Sequence, residues 1–151
     1  MGTIEFKSGN KNIEDTREIF REYSTKVKGA EVCFISFEKE LADLEEIYAG
    51  PKGMLKLACD GDILVGCVGL KPIANGSCEL KRLYVKEGTR NKGVGRSLVS
   101  ICIDYAKKQN YKKIVLETMP GIMDNAIRLY LSSGFIKVEE TCGILKMEIE
   151  L

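Results

Sequence analysis

The sequence predicts an α+β fold, a mixed but mainly antiparallel central sheet flanked by helices. Two observations carry that expectation. Strand-like runs in the middle of the chain are joined by tight-turn residues, Asp60-Gly61 and "NGS" at 75–77, which is the signature of antiparallel hairpins. Behind them come a strand, a glycine-bearing loop, an amphipathic helical stripe and another strand, the order of a right-handed βαβ crossover.

The elements follow in order. "TIEFKS" reads as a short first strand. From Ile13, a stripe of Thr16, Phe20, Tyr23 and Val27 predicts a helix, with Asn12 placed to cap it. Phe37, Leu41, Leu44 and Tyr48 predict a second helix, stopped by Gly50-Pro51. "GMLKLACDGDILVGCVGLKPI" is strand, turn, strand, and "CELKRLYV" is the strand after "NGS". Val94, Leu98, Ile101 or Cys102, and Tyr105 then mark a helix that ends near Asn110. "KKIVLET" reads as a buried strand. Ala126, Ile127 and Tyr130 belong to a further helix, with Gly134 as its terminating glycine. "FIKVEE" and "GILKMEIEL" are the closing strands. In the latter, Leu145, Met147, Ile149 and Leu151 alternate with Lys146, Glu148 and Glu150, a half-buried pattern. With no repeat, low-complexity segment or linker, residues 1–151 read as one domain.

Composition narrows the function. A formal net charge of +1 provides no global field to attract nucleic acid or a membrane. No apolar run approaches the roughly 18–20 residues that span a bilayer. Met1 to Asn10 lack the apolar core of a signal peptide, so a cytoplasmic protein is expected. There is no histidine, and none of the six cysteines forms a C-x-x-C pair, so no metal site is expected. Most of the cysteines stand in apolar runs and read as reduced, buried small hydrophobes. Without histidine, a general base must be a carboxylate, lysine, tyrosine or cysteine.

The most informative stretch is "RLYVKEGTRNKGVGRSLV", residues 82–99. Gly88 and Gly93 have the glycine spacing of a nucleotidase P-loop, but Val94 stands where its lysine must be. Gly93 and Gly95 partly match a dinucleotide fingerprint, with Glu117 as its acidic residue. Leu98 takes the third glycine position, however, and Lys86 to Lys92 separate strand from glycines. The third reading fits throughout. "RNKGVG" is R-x-x-G-x-G opening a helix, where glycines admit a ligand to the backbone and the helix N–H groups face an anion. Arg90, Lys92 and Arg96 add positive charge.

That motif resembles the pyrophosphate-binding loop of the GNAT superfamily of N-acetyltransferases, which cradles coenzyme A. "CELKRLYV" is similar to the strand before that loop, and "AIRLYLSSGF" to a later A-x-x-x-Y-x-x-x-G-F segment of the family. The likeness runs from about residue 52 to about residue 140; the first 50 residues carry no specific signature. It implies a GNAT-like fold with a βαβ coenzyme A-binding unit, and acetyl-CoA as the cofactor. Arg90, Asn91, Lys92, Gly93, Val94, Gly95, Arg96 and Ser97 would hold its phosphates. Backbone groups of Leu83, Tyr84 and Val85 would meet the pantetheine and thioester where the strand splays.

The resemblance also implies the chemistry. Glu79 corresponds to a frequent general base, acting directly or through water, and Tyr130 to the usual acid for the leaving thiolate. Other readings are a strand-end charge pairing with Lys81 or Arg82, and a core tyrosine spaced four from Ala126. Met123 departs from the family pattern, which often has asparagine there; it could pack on the pantetheine, and no contact is expected from Asn125. The implied activity is acetyl transfer to an amine of a small molecule or peptide. The rival from another class is a non-catalytic coenzyme A-binding sensor or interaction module. Glu38, Glu40, Asp43, Glu45 and Glu46 suggest an acidic rim for a cationic acceptor, against the plainer reading of a solvated helix face. The terminal strand could pair with a neighbouring chain, which leaves a homodimer open.

Overall fold

A computed structural model describes residues 3–89 and 92–151. Seven strands form one sheet in the order β1-β2-β3-β4-β5-β7-β6. They are β1 (Ile4–Ser8), β2 (Met54–Asp60), β3 (Ile63–Pro72), β4 (Ser77–Val85), β5 (Lys113–Thr118), β6 (Ile136–Thr141) and β7 (Ile144–Glu150). Only β4 and β5 pair in parallel; every other pairing is antiparallel. The mixed, mainly antiparallel sheet is therefore as expected.

Helices cover both faces. On one side lie α1 (Ile13–Lys26), α2 (Phe37–Ala42) and α3 (Leu44–Ile47), whose Ile19, Phe20, Leu41, Leu44 and Tyr48 pack on Leu55, Leu57 and Cys67. On the other lie α4 (Val94–Lys108) and α5 (Asp124–Ser132), whose Leu98, Cys102 and Ile127 pack on Val68, Leu70, Ile114 and Leu116. Fully burying a side chain such as Phe20 or Leu98 contributes about 1.5–3 kcal/mol, so these two cores hold the layers together.

Several local expectations change. The second helix is two short ones, because Asp43 (φ −108°, ψ 21°) leaves helical geometry between Ala42 and Leu44. Asn12 does precede α1, but its side chain makes no cap; Nδ2 donates to the Ser8 carbonyl at 2.7 Å. Strand β5 is not buried on both faces: Ile114, Leu116 and Thr118 are buried, whereas Glu117 is exposed. The turns are as expected. Gly61, Asn75 and Gly76 all adopt positive φ, and Gly134 at φ +107° follows the end of α5. Cys59, Cys67, Cys78 and Cys102 are buried thiols, while Cys33 is half-buried and Cys142 exposed.

Strand β4 carries the feature that builds the site. It pairs with β5 only at Ser77, Cys78 and Glu79, so from Leu80 onward no β5 residue lies opposite. Over the same stretch β4 is irregular against β3. Cys67 faces Tyr84 and Gly69 faces Lys81, so Val68 alone opposes both Arg82 and Leu83. Arg82 sits at φ +60° in this bulge. The bulge reverses the alternation of the strand. Cys78 and Leu80 face the α4–α5 core, after which Leu83 and Val85 face it and Tyr84 turns to the other side.

Candidate active site

Arg82 is an internal anchor. Its side chain is 5% exposed and its guanidinium forms a two-pronged pair with Glu40, Nε to Oε2 at 2.9 Å and Nη2 to Oε1 at 2.7 Å. Nη1 donates to the Cys33 carbonyl at 2.9 Å, and the cation lies over the rings of Phe34 and Phe37. Tyr48 donates to Glu40 at 3.0 Å, and its ring occupies the space beside Gly69, where a Cβ would come within 2.6 Å. The bulge is thus fastened to α2 and to the turn at Glu31–Phe34. Burial alone would raise the Glu40 pKa; the bonds and charge of Arg82, with Lys81 and Tyr48, hold it below the usual carboxylate range.

This arrangement corrects the idea of an acidic rim. Glu40 is buried on Arg82, Glu38 pairs with Arg21 at 3.0 Å, and Asp43 pairs with Lys39 at 3.2 Å. None of the α2–α3 acids lines the cavities described next.

Two neighbouring cavities with shared lining residues open where β4 leaves β5. The larger, about 930 Å³, runs from Leu83, Tyr84 and Val85 to Gly93, Val94, Gly95 and Arg96, with α5 as its far wall. The smaller, about 230 Å³, holds Glu79, Lys81, Cys33, Glu117 and Tyr130. Glu79 stands at the last β4–β5 pair, opposite Val115. Lys81 and Arg82 both turn to Glu40, so among the described residues neither Glu79 nor Glu117 forms an ion pair.

Tyr130 is 5% exposed, its ring 5.6 Å from that of Phe135. Among the described residues its hydroxyl has no hydrogen-bond partner, yet no fully buried side-chain polar atom is left unsatisfied. The hydroxyl therefore reaches the small cavity. Burial, followed by the proximity of Tyr23, pushes the phenol well above the ordinary tyrosine value. Burial likewise pushes the Cys33 thiol up, against the opposing pull of Arg82.

The start of α4 fits a phosphate. The first helical bond runs from the Ser97 N–H to the Gly93 carbonyl at 3.0 Å, so the N–H groups of Val94, Gly95 and Arg96 precede it. Gly93 has φ +77°, and among the described residues a Cβ there would meet nothing within 4 Å. Gly95 allows close packing of α4 on α5; a Cβ would lie 2.9 Å from Leu129. Arg96 and Arg128 line the cleft and supply positive charge. Arg90 and Asn91 lie outside the described residues. Lys92 is exposed and Ser97 half-buried, and neither lines the cleft. Met123 lines both cavities, its sulfur accepting from the Thr118 hydroxyl at 3.5 Å. Asn125, from which no contact was expected, does stand in the cleft wall, held by Arg128.

A sheet that parts beside a glycine-led helix start gives a cleft with helix N–H groups at one end and a gap between two strands at the other. Comparison with known proteins gives the family. The acetyltransferase (GNAT) family model matches residues 13–135. An N-acetyltransferase of Schizosaccharomyces pombe is 34% identical over 130 residues, 85% of this chain and 78% of that protein. N-acetyltransferase 8F1 of Rattus norvegicus is 31% identical over 103 residues, 65% of this chain, and the match spans only 46% of that relative's length. The PaiA N-acetyltransferase of Thermoplasma acidophilum, solved in complex with coenzyme A, has the same fold, with TM-score 0.78 over 99% of both chains at 22% identity. The chain belongs to the GNAT acetyltransferase family, and its chemistry is acetyl transfer from acetyl-coenzyme A.

Proposed function

We propose that the chain acetylates a compact primary amine, with Glu79 as general base and Tyr130 as general acid. The observation that carries this reading is the small cavity. Among the described residues it holds a carboxylate without an ion pair and a phenol without a hydrogen-bond partner, and it shares four lining residues with the cleft that would take coenzyme A. Its volume of about 230 Å³ suits a small amine or a single side chain. Glu79 and Glu117, which form no ion pair among the described residues, favour a cation.

Bound acetyl-coenzyme A supplies an electrophilic thioester carbon. The start of α4, with Arg96, would hold its phosphates, and Leu83, Tyr84 and Val85 would border its pantetheine arm. Glu79 takes the proton that makes the acceptor's nitrogen lone pair available. As the C–N bond forms and the C–S bond breaks, the bonding pair leaves with sulfur and Tyr130 gives it a proton. The nitrogen's second proton restores Tyr130, so one proton, carried by Glu79, passes to solvent for each transfer. Burial pushes the phenol above the ordinary tyrosine value, so it carries its proton when the thioester arrives.

An amine panel incubated with acetyl-coenzyme A and read by product mass tests the proposal. Acetylated products of small cationic amines are expected. Coenzyme A binding without any acetylated amine would show a binding module instead.

A further inference from the structure

Acetyl transfer at this site, the reading on which the following rests, develops charge on three atoms: the acceptor nitrogen, the leaving sulfur and the carbonyl oxygen. Glu79 and Tyr130 answer for the first two. The third, where the family resemblance puts backbone groups of Leu83, Tyr84 and Val85, also has a side-chain candidate, on α1. The large cleft and the small cavity have four residues in common, Tyr23, Leu83, Met123 and Ala126, and only Tyr23 carries a side-chain hydroxyl. Their junction is where a ligand lying in the cleft would present its reactive end to an acceptor in the cavity.

Tyr23 lines this junction and Tyr130 lines the small cavity beside it, from opposite faces of the sheet. Tyr23 packs with the α1–α3 core and Tyr130 belongs to the α4–α5 core. An unbroken strand layer would separate them; the parting of β4 from β5 after Glu79 removes it. The two phenols are close enough that Tyr23 is the leading neighbour, after burial, in raising Tyr130.

The Tyr23 ring is fixed independently of its hydroxyl. It stacks on Tyr84 at 5.0 Å and 22°, and meets Phe34 edge-on at 5.4 Å. Its hydroxyl has no hydrogen-bond partner among the described residues, and no fully buried side-chain oxygen goes unsatisfied, so it faces the cavity. Packing uses the ring alone. The oxygen is left for a ligand.

We propose that Tyr23 is a further catalytic residue, whose hydroxyl donates a hydrogen bond to the thioester oxygen as negative charge gathers there. Tyr23 keeps its own proton throughout and so forms no bond beyond that contact. A donor fixed by two rings before the ligand arrives is the preorganised kind that lowers an acyl-transfer barrier.

Tyr23→Phe removes one oxygen that bonds nothing within the described protein and keeps both ring contacts, so the variant should melt with the wild type. Two readouts decide the role. With an amine from the panel, kcat should fall about 10²-fold, with acetyl-coenzyme A affinity by calorimetry nearly unchanged. In the infrared, the carbonyl stretch of bound carbonyl-¹³C acetyl-coenzyme A should lie below that of the free thioester, and Tyr23→Phe should return it toward the free value. Tyr130→Phe should leave the stretch in place. An unshifted stretch in Tyr23→Phe overturns the assignment whether or not kcat falls. If the wild type acetylates no amine at all, the reading of the site fails, and the stretch still decides whether Tyr23 touches the bound thioester.

Discussion

Glu40→Gln tests how the splayed strand is held. The substitution keeps the shape of the side chain and removes its charge. The Arg82 guanidinium, 5% exposed, would then lose its counter-charge, and the new amide NH₂ would face another donor. Breaking a buried pair by neutralising one partner costs about 3–5 kcal/mol. For a domain of this size that is roughly 6–20 °C in melting temperature. The loss has a signed pH dependence. A carboxylate held below its unfolded value contributes stability that is complete above about pH 4.3 and is lost as pH falls through the folded value. The wild type should therefore lose more stability than Glu40→Gln below about pH 4, and the gap between them should close. Urea unfolding followed by circular dichroism at pH 7 and at about pH 3.5 measures both effects. A variant within about 1 kcal/mol of wild type at pH 7, or a gap that persists unchanged in acid, would refute the reasoning.

Two further substitutions address the proposed cofactor and acid. Gly93→Val should abolish coenzyme A binding by calorimetry, because a β-branched side chain resists φ +77° at the start of α4; undiminished affinity would place the phosphates elsewhere. Tyr130→Phe should melt within a few degrees of wild type, keep near-normal acetyl-coenzyme A affinity and lose about 10–10³ in kcat. Because burial pushes the phenol far up, the wild type should show no alkaline limb from Tyr130 between pH 6 and 9; an unchanged kcat would assign the hydroxyl no part in transfer.

Features set by neighbouring residues were legible in the sequence. The Asp60-Gly61 and Asn75-Gly76 turns, the glycine before α4 and the apolar stripes of α1, α4 and α5 all rest on spacing within a few residues. Features set across the chain were not. Glu40 looked like part of a solvated acidic helix because its partner, Arg82, lies 42 residues away. The break at Asp43 was hidden because Phe37, Leu41, Leu44 and Tyr48 continue one apolar stripe across it. Strand β5 looked buried because its apolar run is continuous, yet Glu117 lines the small cavity. The bulge did leave a mark. In "CELKRLYV" the apolar residues step by two at Cys78 and Leu80, then by three to Leu83, across the polar doublet Lys81-Arg82. A slip in period inside a strand is what a bulge writes into sequence. Tyr23 looked like one more member of a helical stripe, and nothing local distinguishes a ring that packs from a hydroxyl that faces a cavity.

The central claim is that the carboxylate at the point where β4 leaves β5 takes the acceptor's proton. The pH dependence of kcat/KM for Glu79→Gln beside wild type, on one acetylated amine, tests it most directly. The account expects a loss of about 10²–10⁴, greatest below the amine's own pKa where a proton remains to be removed, with acetyl-coenzyme A affinity intact. A Glu79→Gln profile that overlays the wild type from pH 6 to 9 would contradict it.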